Sequence, residues 1–142
     1  MKIYIEKVEP GAVYEDYIYD FWITAKLSTG LKIKIFDHET FDLRNFALKE
    51  VECLIVAAFI EKVNTLYDIR GPIISGRYFP KYVLTGGWNK IASSFYRSMF
   101  DFVETKDGII LIYPSDAKEW NFQEGEDINF SVTRFDLIGV NI

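Results

Sequence analysis

The longest apolar run in the sequence, residues 49–62, constrains the fold more than any other feature. Charged residues stand at both ends of the run, and the stretch from Cys53 to Ile60 has no polar side chain. A strand alternates its side chains between two faces, so a strand with this pattern is covered on both sides. β-Branched and aromatic residues favour a strand here over a buried helix. We therefore predict a central strand with these largely buried side chains: Val51, Leu54, Ile55, Val56, Phe59 and Ile60.

Shorter alternating segments flank this run on both sides. Residues 1–8 alternate like a half-buried strand, and residues 21–27 and 31–36 enclose a Gly-containing link typical of a hairpin. The pair Asp107-Gly108 predicts the turn of a second hairpin. Residues 128–140 alternate as a closing strand.

The order of these elements predicts a mainly β fold, a small OB-like barrel with a helix-bearing insert between strands 3 and 4. Apolar residues spaced by three and four along residues 90–103 predict a helix in that stretch. An α+β fold or a β-sandwich is the alternative. No internal repeat is visible in the sequence.

A length of 142 residues fits one globular domain, residues 1–142. The first residues carry charge early and have no apolar leader segment, and no later run is long enough to cross a membrane. We expect a cytoplasmic protein without membrane contact. The single cysteine, Cys53, has apolar neighbours and is predicted to be a buried, inert thiol.

Charge is distributed unevenly along the chain. The net charge is −5, yet residues 69–100 hold five basic residues and no acid. The rest of the chain, with 11 basic and 21 acidic residues, carries −10. We call residues 69–100 the basic window.

Aromatic residues interleave with the cations of the basic window. The predicted binding residues are Arg77, Tyr78, Lys81, Tyr82, Trp88, Lys90 and Arg97. Such a surface suits an acidic protein partner or self-association by charge complementarity. The same residue types stack on bases and neutralise phosphates, so a single-stranded nucleic-acid module of the OB type is the alternative.

Motifs for catalysis are missing from the sequence. There is no phosphate loop, nucleophile elbow or Cys pair, and the only histidine, His38, lies among acids of a predicted solvated loop, residues 37–42. We predict no catalytic residue, metal site or cofactor. A small carboxylate-based enzyme is a second alternative to a non-catalytic binding module.

Overall fold

The computed structural model describes residues 1–63 and 71–142. Eleven strands lie in these residues: β1 Lys2–Pro10, β2 Val13–Tyr14, β3 Tyr17–Ile18, β4 Phe21–Lys26, β5 Lys32–Asp37, β6 Glu50–Lys62, β7 Ile73–Phe79, β8 Lys90–Ile91, β9 Asp101–Thr105, β10 Gly108–Ile112 and β11 Asp127–Asn141. One α-helix, α1 Pro114–Glu119, and two 3₁₀ turns, Arg44–Phe46 and Ser93–Arg97, complete the described elements. The fold is mainly β, as predicted.

The central strand predicted from residues 49–62 is β6. Its side chains Cys53, Ile55 and Ala57 pack into the main core, whereas Leu54 and Val56 pack into a second cluster on the other side of the sheet. The strand is therefore covered on both faces, as its sequence predicts. All the side chains expected to be buried are buried except one.

Phe59 is the exception, and the prediction that it is buried is wrong. Its side chain is 65% exposed, and its backbone has a φ of +54°, outside the strand region. That conformation departs from the regular alternation of faces along the strand. The ring lies 5.4 Å from the guanidinium of Arg134, which covers one of its faces.

Five strands form a first ring with the order β1-β4-β5-β11-β6 and back to β1. All neighbours are antiparallel except β5 and β11, which run parallel. This is the strand arrangement of an OB-type barrel, so the predicted OB-like fold is confirmed. The hairpin predicted for residues 21–27 and 31–36 is also confirmed, because β4 and β5 pair antiparallel and are joined by the turn at Gly30.

A second ring of five strands shares β6 and β11 with the first. Its order is β6-β10-β9-β7-β11 and back to β6, with β6 and β10 parallel and the other neighbours antiparallel. The nine-stranded sheet is therefore a pair of fused rings rather than one simple barrel. Each ring joins a three-strand meander to the same two long strands.

The two rings repeat the same topology. In each half of the chain a meander is followed by a helical turn and one long strand, β6 in the first half and β11 in the second. The third meander strand of each half pairs in parallel with the long strand of the other half. Neither half closes its own ring. The two halves repeat a strand order and not a residue pattern, so no internal repeat is visible in the sequence.

Two details of the predicted fold are wrong. Residues 90–103 form β8, a 3₁₀ turn and the start of β9 rather than a helix. Phe95 and Phe102 pack on the second cluster from an irregular backbone, whereas Met99 is exposed, so the spacing of three and four does not mark one buried helix face. The helix-bearing insert also comes later than predicted, between β6 and β11, while only the 3₁₀ turn Arg44–Phe46 separates β5 from β6.

The central position of Ile55 makes a direct test of the core. Its side chain is fully buried in β6, so we expect Ile55→Ala to lower the free energy of unfolding by about 2 to 5 kcal/mol. Urea denaturation measures the loss. The exposed Val83→Ala serves as control and should change stability by less than about 0.5 kcal/mol; equal effects of the two changes would contradict the assignment of the core.

Cys53 generates a second test. Burial raises the pKa of its thiol to about 12, so the reactive thiolate is scarce at pH 8. We expect a disulfide reagent to label the native protein slowly, at a rate set by unfolding, and the urea-denatured protein quickly. Fast labelling of the folded protein at pH 8 would show that the thiol is accessible.

Candidate ligand cavities and the basic segment

The connection between β7 and β9, residues 80–100, contains most of the predicted binding residues, and we call it the basic segment. It covers the second cluster, whose buried side chains from the sheet are Leu54 and Val56 of β6, Leu111 of β10 and Ile138 of β11. The rings of Tyr82, Phe95 and Phe102 contact one another edge to face or pack on the buried Phe100. Most aromatic side chains of the segment therefore serve the core, while its cations remain outside.

Tyr78 is a core residue and not part of a surface. Its side chain is buried, and its hydroxyl donates a hydrogen bond of 2.6 Å to the buried Asp101 carboxylate. The backbone N–H of Lys81 donates to the other oxygen of the same carboxylate at 3.1 Å. Burial, and then the bond to Asp101, raises the pKa of the Tyr78 hydroxyl. This pair anchors the beginning of the basic segment, and ligands do not reach it.

Tyr82 and Trp88 come together as walls of one cavity of about 360 Å³. Gly86 and Gly87 form its rim, and Gly86 adopts a φ of +85°, which glycine reaches without strain. Glu52 is the carboxylate of the lining, which contains no lysine or arginine. Burial raises the pKa of the Tyr82 hydroxyl, so this group is a neutral hydrogen-bond donor near pH 7.

Arg77 lies apart from the other cations of the basic window. It faces a shallow groove of about 520 Å³ between β7, β9 and β11, together with Lys106. The guanidinium is 3.4 Å from the carboxylate of Asp127, which lies in the same groove as Glu104. Two carboxylates offset the two cations of this groove.

Lys81, Lys90 and Arg97 are exposed on the basic segment. The same segment also exposes three large apolar side chains, Val83, Tyr96 and Met99. Arg70, the remaining cation of the basic window, lies outside the described residues. The structure thus divides the predicted site into a buried tyrosine, a cavity, a separate groove and an exposed basic surface.

A further cavity, of about 370 Å³, lies where β5 and β11 separate. The parallel pairing of these strands begins at Ile35 and Phe135, and before that point the strands leave a gap. The complete lining is Thr24, Lys32, Ile33, Lys34, Pro72, Val132, Thr133 and Phe135. We call it the Lys32–Lys34 cavity.

Sequence reasoning missed the Lys32–Lys34 cavity. The two lysines alternate with buried isoleucines along β5, a pattern that predicts only a solvated strand face. The cavity depends on the departure of β11 from β5, a contact between residues about 100 positions apart. The only available signal was two lysines on the same face of one strand.

The charges of this cavity differ from those of the others. Its lining residues include two lysines and two threonines and no acid, and the surface that they present is mostly apolar. Four other cavities each include at least one acid: Glu104 and Asp127, Glu52, Glu50, and Asp107. The ammonium of Lys32 lies 3.4 Å from Glu6, whose carboxylate stands outside the lining.

The acidic stretch around His38 is not uniformly solvated, contrary to our expectation. Asp37 is fully buried, and its two carboxylate oxygens accept hydrogen bonds from the backbone N–H groups of Phe41 and Asp42, each at 3.0 Å. Burial raises the pKa of Asp37, and these two hydrogen bonds oppose the shift. The carboxylate closes a turn after β5 and is unavailable to a ligand.

The described residues, 1–63 and 71–142, were also considered for a membrane span and a metal site. None of their helices has the length and apolar character that a membrane crossing needs. Within these same residues, no group of three or more histidine, cysteine, aspartate or glutamate side chains is arranged to hold a metal ion.

No family model matches this chain, and no curated protein matches it. Among solved structures, it is similar to the cytoplasmic molybdate-binding protein ModG in a crystal form with molybdate bound. The match covers 99% of this chain and 94% of that chain, with 18% identity and a TM-score of 0.50. Over almost its whole length, the chain therefore shares the fold of ModG.

Proposed function

We propose that the protein is a non-catalytic binding module for a small oxyanion, held in the Lys32–Lys34 cavity. The observation that carries the proposal is the set of residues around that cavity, which includes two lysines and two threonines and no acid. Lysine ammonium groups neutralise a tetrahedral anion as point charges, and threonine hydroxyls donate hydrogen bonds to its oxygens. A cavity of about 370 Å³ also leaves room for a hydrated anion.

The likeness to ModG supports the same class of ligand. That protein is described as molybdate-binding and as cytoplasmic. Our expectations of a non-catalytic module and of a cytoplasmic location agree with this description. Molybdate is a tetrahedral dianion, so the comparison and the chemistry of the cavity point to one kind of ligand.

The partners expected for the basic window stay predictions. An acidic protein surface or a second copy of the chain is supported by the exposure of Lys81, Lys90 and Arg97. Single-stranded nucleic acid has weaker support, because Tyr78 is buried and Tyr82 packs against Phe102. A stacking platform needs aromatic faces that are free for bases.

Calorimetric titration at low ionic strength tests the oxyanion site. We expect molybdate, sulfate or phosphate to bind the wild-type protein, and Lys34→Gln to weaken binding by roughly tenfold because one charge-assisted contact is lost. Added sodium chloride should weaken binding further by screening. Lys118→Gln, an exposed lysine of α1 in the second half of the chain and outside this cavity, is the matched control. No binding of any of the three anions at millimolar concentration, or equal losses in both variants, would refute the site.

The ion pair between Lys32 and Glu6 predicts that one substitution strengthens anion binding. Glu6→Gln removes the competing carboxylate, so we expect the anion to bind roughly two- to fivefold more tightly, the effect of one exposed ion pair. Glu9→Gln is the control, because Glu9 pairs with Lys7 instead. Titration of both variants with molybdate measures the difference. Unchanged or weaker binding in Glu6→Gln would mean that Lys32 does not contact the anion.

A further inference from the structure

Two connections of the fold carry opposite charge. Residues 11–20, which include β2 and β3, contain three acids and no lysine or arginine, so their net charge is −3. The basic segment, residues 80–100, contains three cations and no acid, so its net charge is +3. We call residues 11–20 the acidic hairpin.

The acidic hairpin and the basic segment occupy equivalent places in the two rings. The acidic hairpin joins β1 to β4, the first two meander strands of the first ring. The basic segment joins β7 to β9, the first two meander strands of the second ring. Since the rings repeat one topology, each copy of the protein presents one surface of each sign, on different rings.

Both surfaces also expose large apolar and aromatic side chains. In the described part of the chain, twelve large hydrophobic side chains are exposed, and seven of them belong to these two connections. Four lie on the acidic hairpin and three on the basic segment: Val13, Tyr14, Tyr17, Tyr19, Val83, Tyr96 and Met99. Tyrosine and methionine are enriched in protein interfaces, so the two connections have the composition of contact surfaces.

The acidic hairpin holds its shape through contacts among its own residues. The carboxylate of Asp20 accepts a hydrogen bond of 2.8 Å from the backbone N–H of Ala12, and the N–H of Tyr19 donates to the carbonyl of Ala12 at 2.9 Å. The rings of Tyr17 and Tyr19 meet edge to face at 4.6 Å. Glu15 and Asp16 remain exposed at the turn. The hairpin is therefore an ordered projection that displays two acids and its tyrosines.

We propose that the acidic hairpin of one copy docks on the basic segment of a second copy. The charges of −3 and +3 are complementary, and the exposed Tyr14 and Tyr17 would meet the exposed apolar side chains of the basic segment. This inference is independent of the oxyanion site. It makes the predicted self-association specific, because it names the acidic hairpin as the segment that binds the basic segment. Every copy carries both surfaces, so the partner is always present with the protein.

The contact joins two different surfaces and is therefore heterologous. Head-to-tail contacts of this kind produce rings or open chains, whereas a symmetric dimer uses the same surface twice. The docking hence predicts assemblies that grow with protein concentration. Since the attraction is largely between exposed charges, it also predicts assemblies that dissociate when salt is added.

Sedimentation velocity over a range of protein concentrations, at 50 mM and 500 mM sodium chloride, measures this association. We expect concentration-dependent growth at low salt and a shift towards monomer at high salt. Glu15→Gln with Asp16→Asn removes the charge of the acidic hairpin, and Lys90→Gln with Arg97→Gln removes that of the basic segment. Each double variant alone should associate roughly tenfold more weakly than the wild type.

Mixing the two double variants gives the decisive measurement. One variant keeps the basic segment and the other keeps the acidic hairpin, so the equimolar mixture retains one intact interface and should stop at dimers. Glu119→Gln with Glu124→Gln, two exposed acids elsewhere, is the control for net charge and should associate like the wild type. A monomeric wild type at low salt, or variants that associate as strongly as the wild type, would overturn the proposal. Molybdate titration of the same variants should be unchanged, which separates this outcome from a failure of the oxyanion site.

Discussion

The antiparallel pairing of β6 with β11 is the interaction on which the rest of the structure depends. At its centre Val56 pairs with Asp136 and Ala57 pairs with Phe135. The same four residues also pair with the parallel third strand of the opposite half, at Ile35 and Phe36 on one side and Leu111 and Ile112 on the other. At these residues the backbone of each long strand is paired on both edges, which a buried strand requires.

This arrangement also explains where open space remains. A parallel pairing of only two residues, such as that of β5 with β11, leaves the rest of the two strands free to separate. The Lys32–Lys34 cavity lies at that separation, and its lysines come from the outer face of a strand whose inner face fills the core. The core side chains and the lysines of the cavity thus lie on opposite faces of β5, so a change of Lys34 should leave the core undisturbed.

Much of the fold could be predicted from local patterns. The covered strand β6 follows from the absence of polar residues between Cys53 and Ile60, and the turn of the β9–β10 hairpin follows from Asp107-Gly108, where Gly108 takes a φ of +126°. The role of the basic segment was harder to predict, because the same aromatic residue types cover a core or bind a ligand. Tyr78 looks like a surface residue among cations, and only the contact with Asp101, 23 positions away, shows that it is buried. The Lys32–Lys34 cavity depends on contacts across the whole chain, which no local pattern encodes.

The exchange of long strands between the rings has a consequence for how the chain can be divided. Each half supplies four strands of one ring and the fifth strand of the other. A cut in the link between β6 and β7 would not release two small domains, because each fragment would expose the unpaired edges of an incomplete ring. The fragments would instead be complementary parts that fold only on meeting, as in a split reporter.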